Sequence, residues 1–208
     1  MAVQWRMPET ASFKSRLNTL RYRRECICVQ GVSLRPKNLI QETMMNEQMA
    51  FQDMIPNNNC FGCGPYNDKG LRIKSRWVEK DIAECRFTPA QEHSAGPLHT
   101  LNGGIIATLI DCHTVCTAIA KAYQMAGRPI GSGDPIWFAT GRLTVSYQKP
   151  VPLDAEVVLL AAIDEAKEKK ITVSCRVMAH GEVCAAGDVV AVRVPSGWFE
   201  GTHVGRSD

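Results

Sequence analysis

Asp111 stands where a carboxylate is costly. From Ile105 to Tyr123 the chain has no proline or glycine and is dense in Ile, Leu, Val and Ala. That run reads as a helix, apolar on nearly every side and therefore buried. At about 100° per residue, His113, Thr117 and Lys121 form one narrow polar stripe, the only side expected to meet water. Asp111 lies roughly 120° from the centre of that stripe, on the apolar side. An acid placed there needs a partner or a task. Just before the helix, Asn102-Gly103-Gly104 offers two residues without Cβ. A ligand can then approach the backbone N–H groups at the positive helix end. An anion-binding helix start and a buried acid two turns on make a reaction centre.

The elements around this helix follow from alternation and turn chemistry. Asn57–Gly70 is turn-rich, with Asn-Asn-Asn, Gly-x-Gly and Asn-Asp-x-Gly. Leu71, Ile73 and Trp77 alternate with Arg72, Lys74 and Arg76 as a strand, and Ala83, Cys85 and Phe87 mark a second one. Loops are expected over Pro89–Pro97 and Gly127–Pro135. Four more strands are expected at about Trp137–Gln148, Glu156–Ala162, Lys170–Ala179 and Val183–Val194, the last two joined through His180-Gly181-Glu182. A strand pair, one apolar helix and a run of antiparallel strands predict an α+β fold, a sheet wrapped around a helix.

Three segments also carry a family resemblance. Thr100-Leu-Asn-Gly-Gly-Ile-Ile-Ala-Thr-Leu-Ile-Asp111 resembles the HGG-x6-D segment of PaaI-type hotdog-fold acyl-CoA thioesterases. Cys60-Phe-Gly-Cys-Gly-Pro-Tyr-Asn-Asp-Lys-Gly-Leu71 is similar to the C-x-G-C-G-x-x-N-x-x-G-L opening of one branch of that family. Thr140-Gly-Arg-Leu-Thr-Val-Ser-Tyr-Gln-Lys-Pro-Val-Pro152 is similar to its strand after the helix. The resemblance spans about Asn57 to Pro195, and Asn102 stands where the family usually has His. It implies the hotdog fold and hydrolysis of an acyl-CoA thioester without metal or cofactor. Asp111 would be general base or nucleophile on the thioester carbonyl. The N–H groups of Gly103 and Gly104 would polarise the thioester oxygen. Thr140 would orient water, and the Asn102 amide would donate to the carbonyl or hold a loop. Gly103, Thr108, Arg142 and Lys149 are the expected substrate contacts, the two cations suiting coenzyme A phosphates. Such enzymes pair subunits, so a homodimer or homotetramer with the site at the interface is expected. Asp111 would then come from one subunit, with Gly103–Gly104 or Thr140 from the other. The competing readings are a hotdog hydratase or dehydratase, which relies on a site His, and a non-catalytic acyl-CoA-binding protein.

Composition bounds the remaining possibilities. The 208 residues suit one main domain. Residues 1–40 hold eight basic and two acidic residues, a net +6; the whole chain is +3, which leaves −3 for the rest. A nucleic-acid footprint on the folded part is therefore not expected. Residues 1–56 are expected to form a flexible N-terminal extension, 57–197 the hotdog domain and 198–208 a C-terminal tail. The Arg-rich start faintly resembles a transit peptide. The simpler expectation is a plain extension, or a true beginning at Met44, Met45 or Met49. A short helix over Leu39–Phe51 is compatible with its pattern. No run looks long enough to span a membrane, and no membrane partner is expected.

Nine cysteines without regular spacing predict mostly buried thiols in a reducing compartment, here the cytoplasm. No metal is expected. Cys60-x-x-Cys63 with Cys26-x-Cys28 is the pairing that would make zinc ligands, and the second pair falls in the extension. Cys112 beside His113 does not make a nucleophile–base pair, since adjacent helix residues point about 100° apart. His93 and His99 are expected to be loop residues. No G-x-S-x-G elbow is present, against a serine hydrolase of that class.

Overall fold

The computed structural model describes residues 49–97 and 99–195. The extension before Met49, Cys26 and Cys28, most of Leu39–Phe51, and the 198–208 tail lie outside the described residues. The elements are α1 (Phe51–Met54), β1 (Ser75–Glu79), β2 (Ile82–Phe87), a 3-10 turn (Gln91–His93), α2 (Gly103–Met125), β3 (Phe138–Tyr147), β4 (Val157–Lys167), β5 (Lys170–Ala179) and β6 (Glu182–Arg193). The six strands make one antiparallel sheet in the order β1-β2-β4-β5-β6-β3. α2 packs against its inner face, touching β3, β4, β5 and β6. This is the hotdog arrangement that the strand and helix pattern predicts.

Hydrophobic alternation explains which strand face turns inward. On β5, Ile171, Val173, Cys175 and Val177 are buried in the same core as Leu109 and Ile110 of α2. The β5–β6 hairpin turns through His180 (φ 51°) and Gly181 (φ 76°), the left-handed pair that matches strand twist. On β6, Gly187 lets the helix lie close, because a Cβ there would come within 2.7 Å of Ile110 Cγ2.

Several sequence expectations need correction. α2 spans 23 residues with mean hydropathy 1.5, so by length and composition it could cross a membrane. Here it is the core helix, and the sheet takes the place that lipid would have. The strand expected around Leu71–Trp77 joins the sheet only at Ser75. Before that, Leu71 N–H and Ile73 N–H donate to Phe61 O (2.8 Å) and Gly62 O (3.1 Å) of the cysteine loop. β4 runs to Lys167 because Asp164 is accommodated at an irregularity and accepts from Ser174 Oγ at 3.0 Å. Residues 50–55 pack inward, with Ala50, Phe51, Gln52 and Ile55 buried and Phe51 against Trp77.

The His113–Thr117–Lys121 stripe does not face water. His113 and Thr117 have no solvent exposure, and Lys121 pairs with Asp81 at 2.5 Å. Thr117 Oγ1 donates to His113 O at 2.7 Å, which satisfies it within the helix. His113 joins α2 to β1 and α1. Gln52 Oε1 accepts from Ser75 N–H and Gln52 Nε2 donates to Ser75 Oγ, both at 2.8 Å. The Ser75 hydroxyl also hydrogen-bonds His113 Nδ1 at 2.8 Å. His113 Nε2 is buried without a hydrogen bond of normal geometry. Burial pushes its pKa down to about 4.

The close approach of α2 to β6 can be tested at Gly187. Gly187→Val should lower the unfolding free energy by about 1–3 kcal/mol through overpacking. Gly96→Ala, where a Cβ would meet nothing within 4 Å, should stay within about 0.5 kcal/mol. Urea unfolding of both variants decides; equal stability would mean that Gly187 does not set the helix-to-sheet distance.

Candidate active site

Asn102 caps α2. Its Oδ1 accepts from Gly104 N–H at 2.7 Å and from Ile105 N–H at 3.4 Å. Two of the amides that a helix start leaves unpaired are thus taken by the side chain. This limits the oxyanion role expected of Gly104, whose N–H already has a partner. Gly103 accepts at its carbonyl from Tyr147 Oη, 2.8 Å away on β3. Inside the chain a Cβ on Gly103 would meet the Tyr147 ring at 3.5 Å, an ordinary contact. Neither glycine has positive φ. A Cβ on Gly104 would crowd the Asn102 cap at 3.1 Å.

From that start, Gly104, Thr108, Asp111 and Val115 fall on one side of α2, and all four keep some solvent exposure. Thr108 Oγ1 is engaged with Gly104 O at 2.9 Å. Asp111 is the one ionisable group on this open side. Thr140, inward-facing on β3, donates from Oγ1 to Asp111 Oδ1 at 2.5 Å. Burial raises the Asp111 pKa above the ordinary carboxylate range, and the Thr140 hydrogen bond partly opposes that rise. A carboxylate of raised basicity, held by a hydroxyl at an accessible edge, can take a proton from water or attack an electrophile.

The expected residues are not all brought together. Asp111 and Thr140 meet within one chain, so Thr140 need not come from a partner. Seven residues of helix, about 10 Å, separate Gly104 from Asp111. That is too far for both to act on one carbonyl from the same chain. Arg142 turns away because Gly141 is an extra residue in β3: Thr140 pairs with Ala191, but Arg142 pairs with Val190. Ala191 faces the core and Val190 the outside, so Arg142 is exposed on the outer face. Lys149 is exposed beyond β3 and pairs with Glu182 at 2.9 Å. His93 Nδ1 accepts from Ala90 N–H at 2.9 Å in its loop.

Two features were missed from the sequence. Tyr147, which tethers the helix start, carries no local signal. Cys112 and Cys116 do: spaced i, i+4 on α2, they meet the Cys60–Cys63 loop. A cavity of about 980 Å³, lined in part by Trp77, Lys121, Tyr123 and Arg128, opens near the other end of α2. It holds neither Asp111 nor Thr140, and its wall carries the Lys121–Asp81 ion pair together with Glu79.

Comparison with known proteins gives this geometry a setting. Residues 98–186 match the thioesterase superfamily. An acyl-coenzyme A thioesterase THEM4 of Xenopus laevis is 30% identical over 98 residues, which is 47% of this chain and 38% of that protein. The chain therefore spans well under half the length of that curated relative. A thioesterase superfamily protein of Shewanella loihica PV-4 is 31% identical, with a TM-score of 0.49, over 59% of this chain and 91% of its own. The E. coli PaaI protein from the phenylacetic acid degradation operon is 11% identical with a TM-score of 0.50, over 60% of this chain and 81% of its own. At that identity the last likeness speaks to fold alone.

The capping role of Asn102 is separable from any role with substrate. Asn102→Ala should lower unfolding free energy by about 1 kcal/mol, while Asn102→Asp should keep most of it. Chemical denaturation of the two variants measures this; an unchanged Asn102→Ala would show that the cap does not hold the helix start.

Proposed function

Residues 98–186 match the thioesterase superfamily, and we propose that the chain is a member that hydrolyses an acyl-CoA thioester to a carboxylic acid and free coenzyme A. The observation that carries this reading is the Thr140–Asp111 hydrogen bond on the open side of α2. Thr140 gives its only proton to Asp111, so its oxygen retains lone pairs that accept from a water molecule. That water lies between the hydroxyl and the carboxylate. Asp111 takes a proton from it as the oxygen attacks the carbonyl, and a tetrahedral oxyanion forms. Collapse breaks the C–S bond, and Asp111 returns the proton to the departing thiolate. Direct attack by Asp111, giving an anhydride that water then opens, uses the same residues.

The oxyanion needs donors that this chain's own helix start, about 10 Å away along α2, does not bring to Asp111. The reading therefore includes a second copy, whose Gly103 region meets Asp111 of the first. β3 supports this, being an edge strand with free backbone groups along one side. Pairing about a two-fold axis covers both copies of such an edge at once. The exposed Arg142 and Lys149 then serve coenzyme A phosphates from the rim, outside the reacting centre.

Two measurements test this. Thiol release from a chain-length panel of acyl-CoAs should fall by two or more orders of magnitude in Asp111→Asn, with a folded protein. Thr140→Val should cost about tenfold or more, and Thr140→Ser should recover most activity. Near-wild-type turnover in Asp111→Asn would overturn the assignment, and binding without turnover by the unaltered chain would favour an acyl-CoA-binding protein. Light scattering after size exclusion should give two or four chains; an active single chain of about 23 kDa would overturn the shared site.

A further inference from the structure

Four cysteines converge behind the open side of α2, where the proposed reaction has no use for them. Cys112 and Cys116, one helical turn apart, present their sulfurs to the 57–64 loop, which carries Cys60 and Cys63. Cys60 Sγ lies 3.6 Å from Cys112 Sγ, and Cys63 Sγ lies 3.7 Å from Cys116 Sγ. The sulfurs of Cys60, Cys63 and Cys112 all lie within 4.8 Å of one another. Tetrahedral zinc with Zn–S of about 2.3 Å requires ligand sulfurs roughly 3.8 Å apart. Both measured pairs are close to that spacing, while Cys116, near Cys63 but outside the cluster of three, has to move closer to the other two sulfurs to complete the tetrahedron.

The surroundings are built to hold this convergence. Gly62 is the residue that lets the loop reach the helix: a Cβ there would fall on Cys112 Sγ and press on Thr108 Cγ2. The loop is pinned by Gly64 N–H to Cys60 O (2.8 Å), and by the bonds from Leu71 and Ile73. Asn58 Nδ2 donates to Cys63 Sγ at 3.6 Å, and Asn58 Oδ1 accepts from Cys60 N–H at 3.2 Å. A donor aimed at sulfur is the kind of outer-layer contact that metal-bound thiolates use. The other described cysteines differ. Cys85, Cys175 and Cys184 each donate to a backbone carbonyl, as buried thiols do. Cys60 is exposed, which gives an ion a way in.

We propose that Cys60, Cys63, Cys112 and Cys116 form a structural tetrathiolate site for a zinc ion that clasps the 57–64 loop to α2. Binding replaces four S–H protons by one Zn²⁺ and releases the protons to solvent. The inference rests on the thiol geometry alone and stands or falls independently of thioester hydrolysis.

The test uses the full chain, reduced and stripped with a chelator, then titrated with Co²⁺. The expected result is saturation at one ion per chain, with the sulfur-to-cobalt charge-transfer bands and strong visible absorption of a tetrahedral thiolate site. One equivalent of Zn²⁺ should bleach it, and Zn²⁺ should raise the melting temperature of the unaltered chain. Cys60→Ser, at an exposed position that folding tolerates, should weaken those bands and the thermal shift, as should Cys116→Ser. Cys184→Ser should keep both. Reduced protein that shows no thiolate–cobalt absorption overturns the proposal. So does a spectrum unchanged in both Cys60→Ser and Cys116→Ser. A purified chain that carries a Cys60–Cys112 disulfide and takes no Co²⁺ after reduction would identify a redox pair instead, and also overturns it.

Discussion

A helix that is apolar on almost every side has to be covered on every side, and one sheet of six strands cannot do that. This constraint organises the molecule. β3 to β6 wrap the flank of α2 that holds Ile110. α1, β1 and the cysteine loop close another flank, tied through Gln52, Ser75 and His113. The side with Gly104, Thr108, Asp111 and Val115 remains, next to the edge strand β3. The hydrophobic effect thus leaves one strip of the central helix accessible, and the acid lies on that strip.

This explains how much of the site could be read from the sequence. Strand alternation and the proline-free run suffice for the sheet and α2, because burial on one strand face imposes a period of two. Asp111 stands out as a charge on an otherwise apolar helix. Its orientation was not legible, for when nearly all sides are apolar the few polar residues decide which side seems wet. His113 and Thr117 pointed to the wrong side. Each is satisfied in the core, Thr117 by its own helix and His113 by a serine 38 residues away in sequence. A local pattern cannot report a partner at that separation.

The same limit applies to Arg142 and the thiols. Strict alternation puts Arg142 on the face of Thr140, and the extra residue Gly141 reverses that. One inserted residue moves a cation from the inner face of the sheet to the outer. For the cysteines, C-x-x-C is visible in the loop and i, i+4 spacing on the helix, but about fifty residues separate the two pairs. The glycine at 62 brings them together, by removing the one side chain that would hold the loop away from α2.

The glycines at 103 and 104 give the last step. A glycine is usually explained by a turn, a positive φ or a tight contact inside the chain. Here the backbone is ordinary, and within the chain the nearest atom to a Cβ on Gly104 would be the Asn102 cap at 3.1 Å. Glycine also weakens a helix, by up to about 1 kcal/mol per residue relative to alanine. At Gly104 part of the return is internal, since a Cβ would crowd the Asn102 cap; at Gly103 a Cβ would make only ordinary contact with the Tyr147 ring. Under the proposed function, the missing Cβ atoms also let a thioester oxygen come close to the backbone. Asn102 then has a second task beside capping, since it holds the Gly104 and Ile105 amides in fixed directions before anything docks. The acid and its hydroxyl meet within one chain, while the helix start lies on the same side of α2 but about 10 Å away along it.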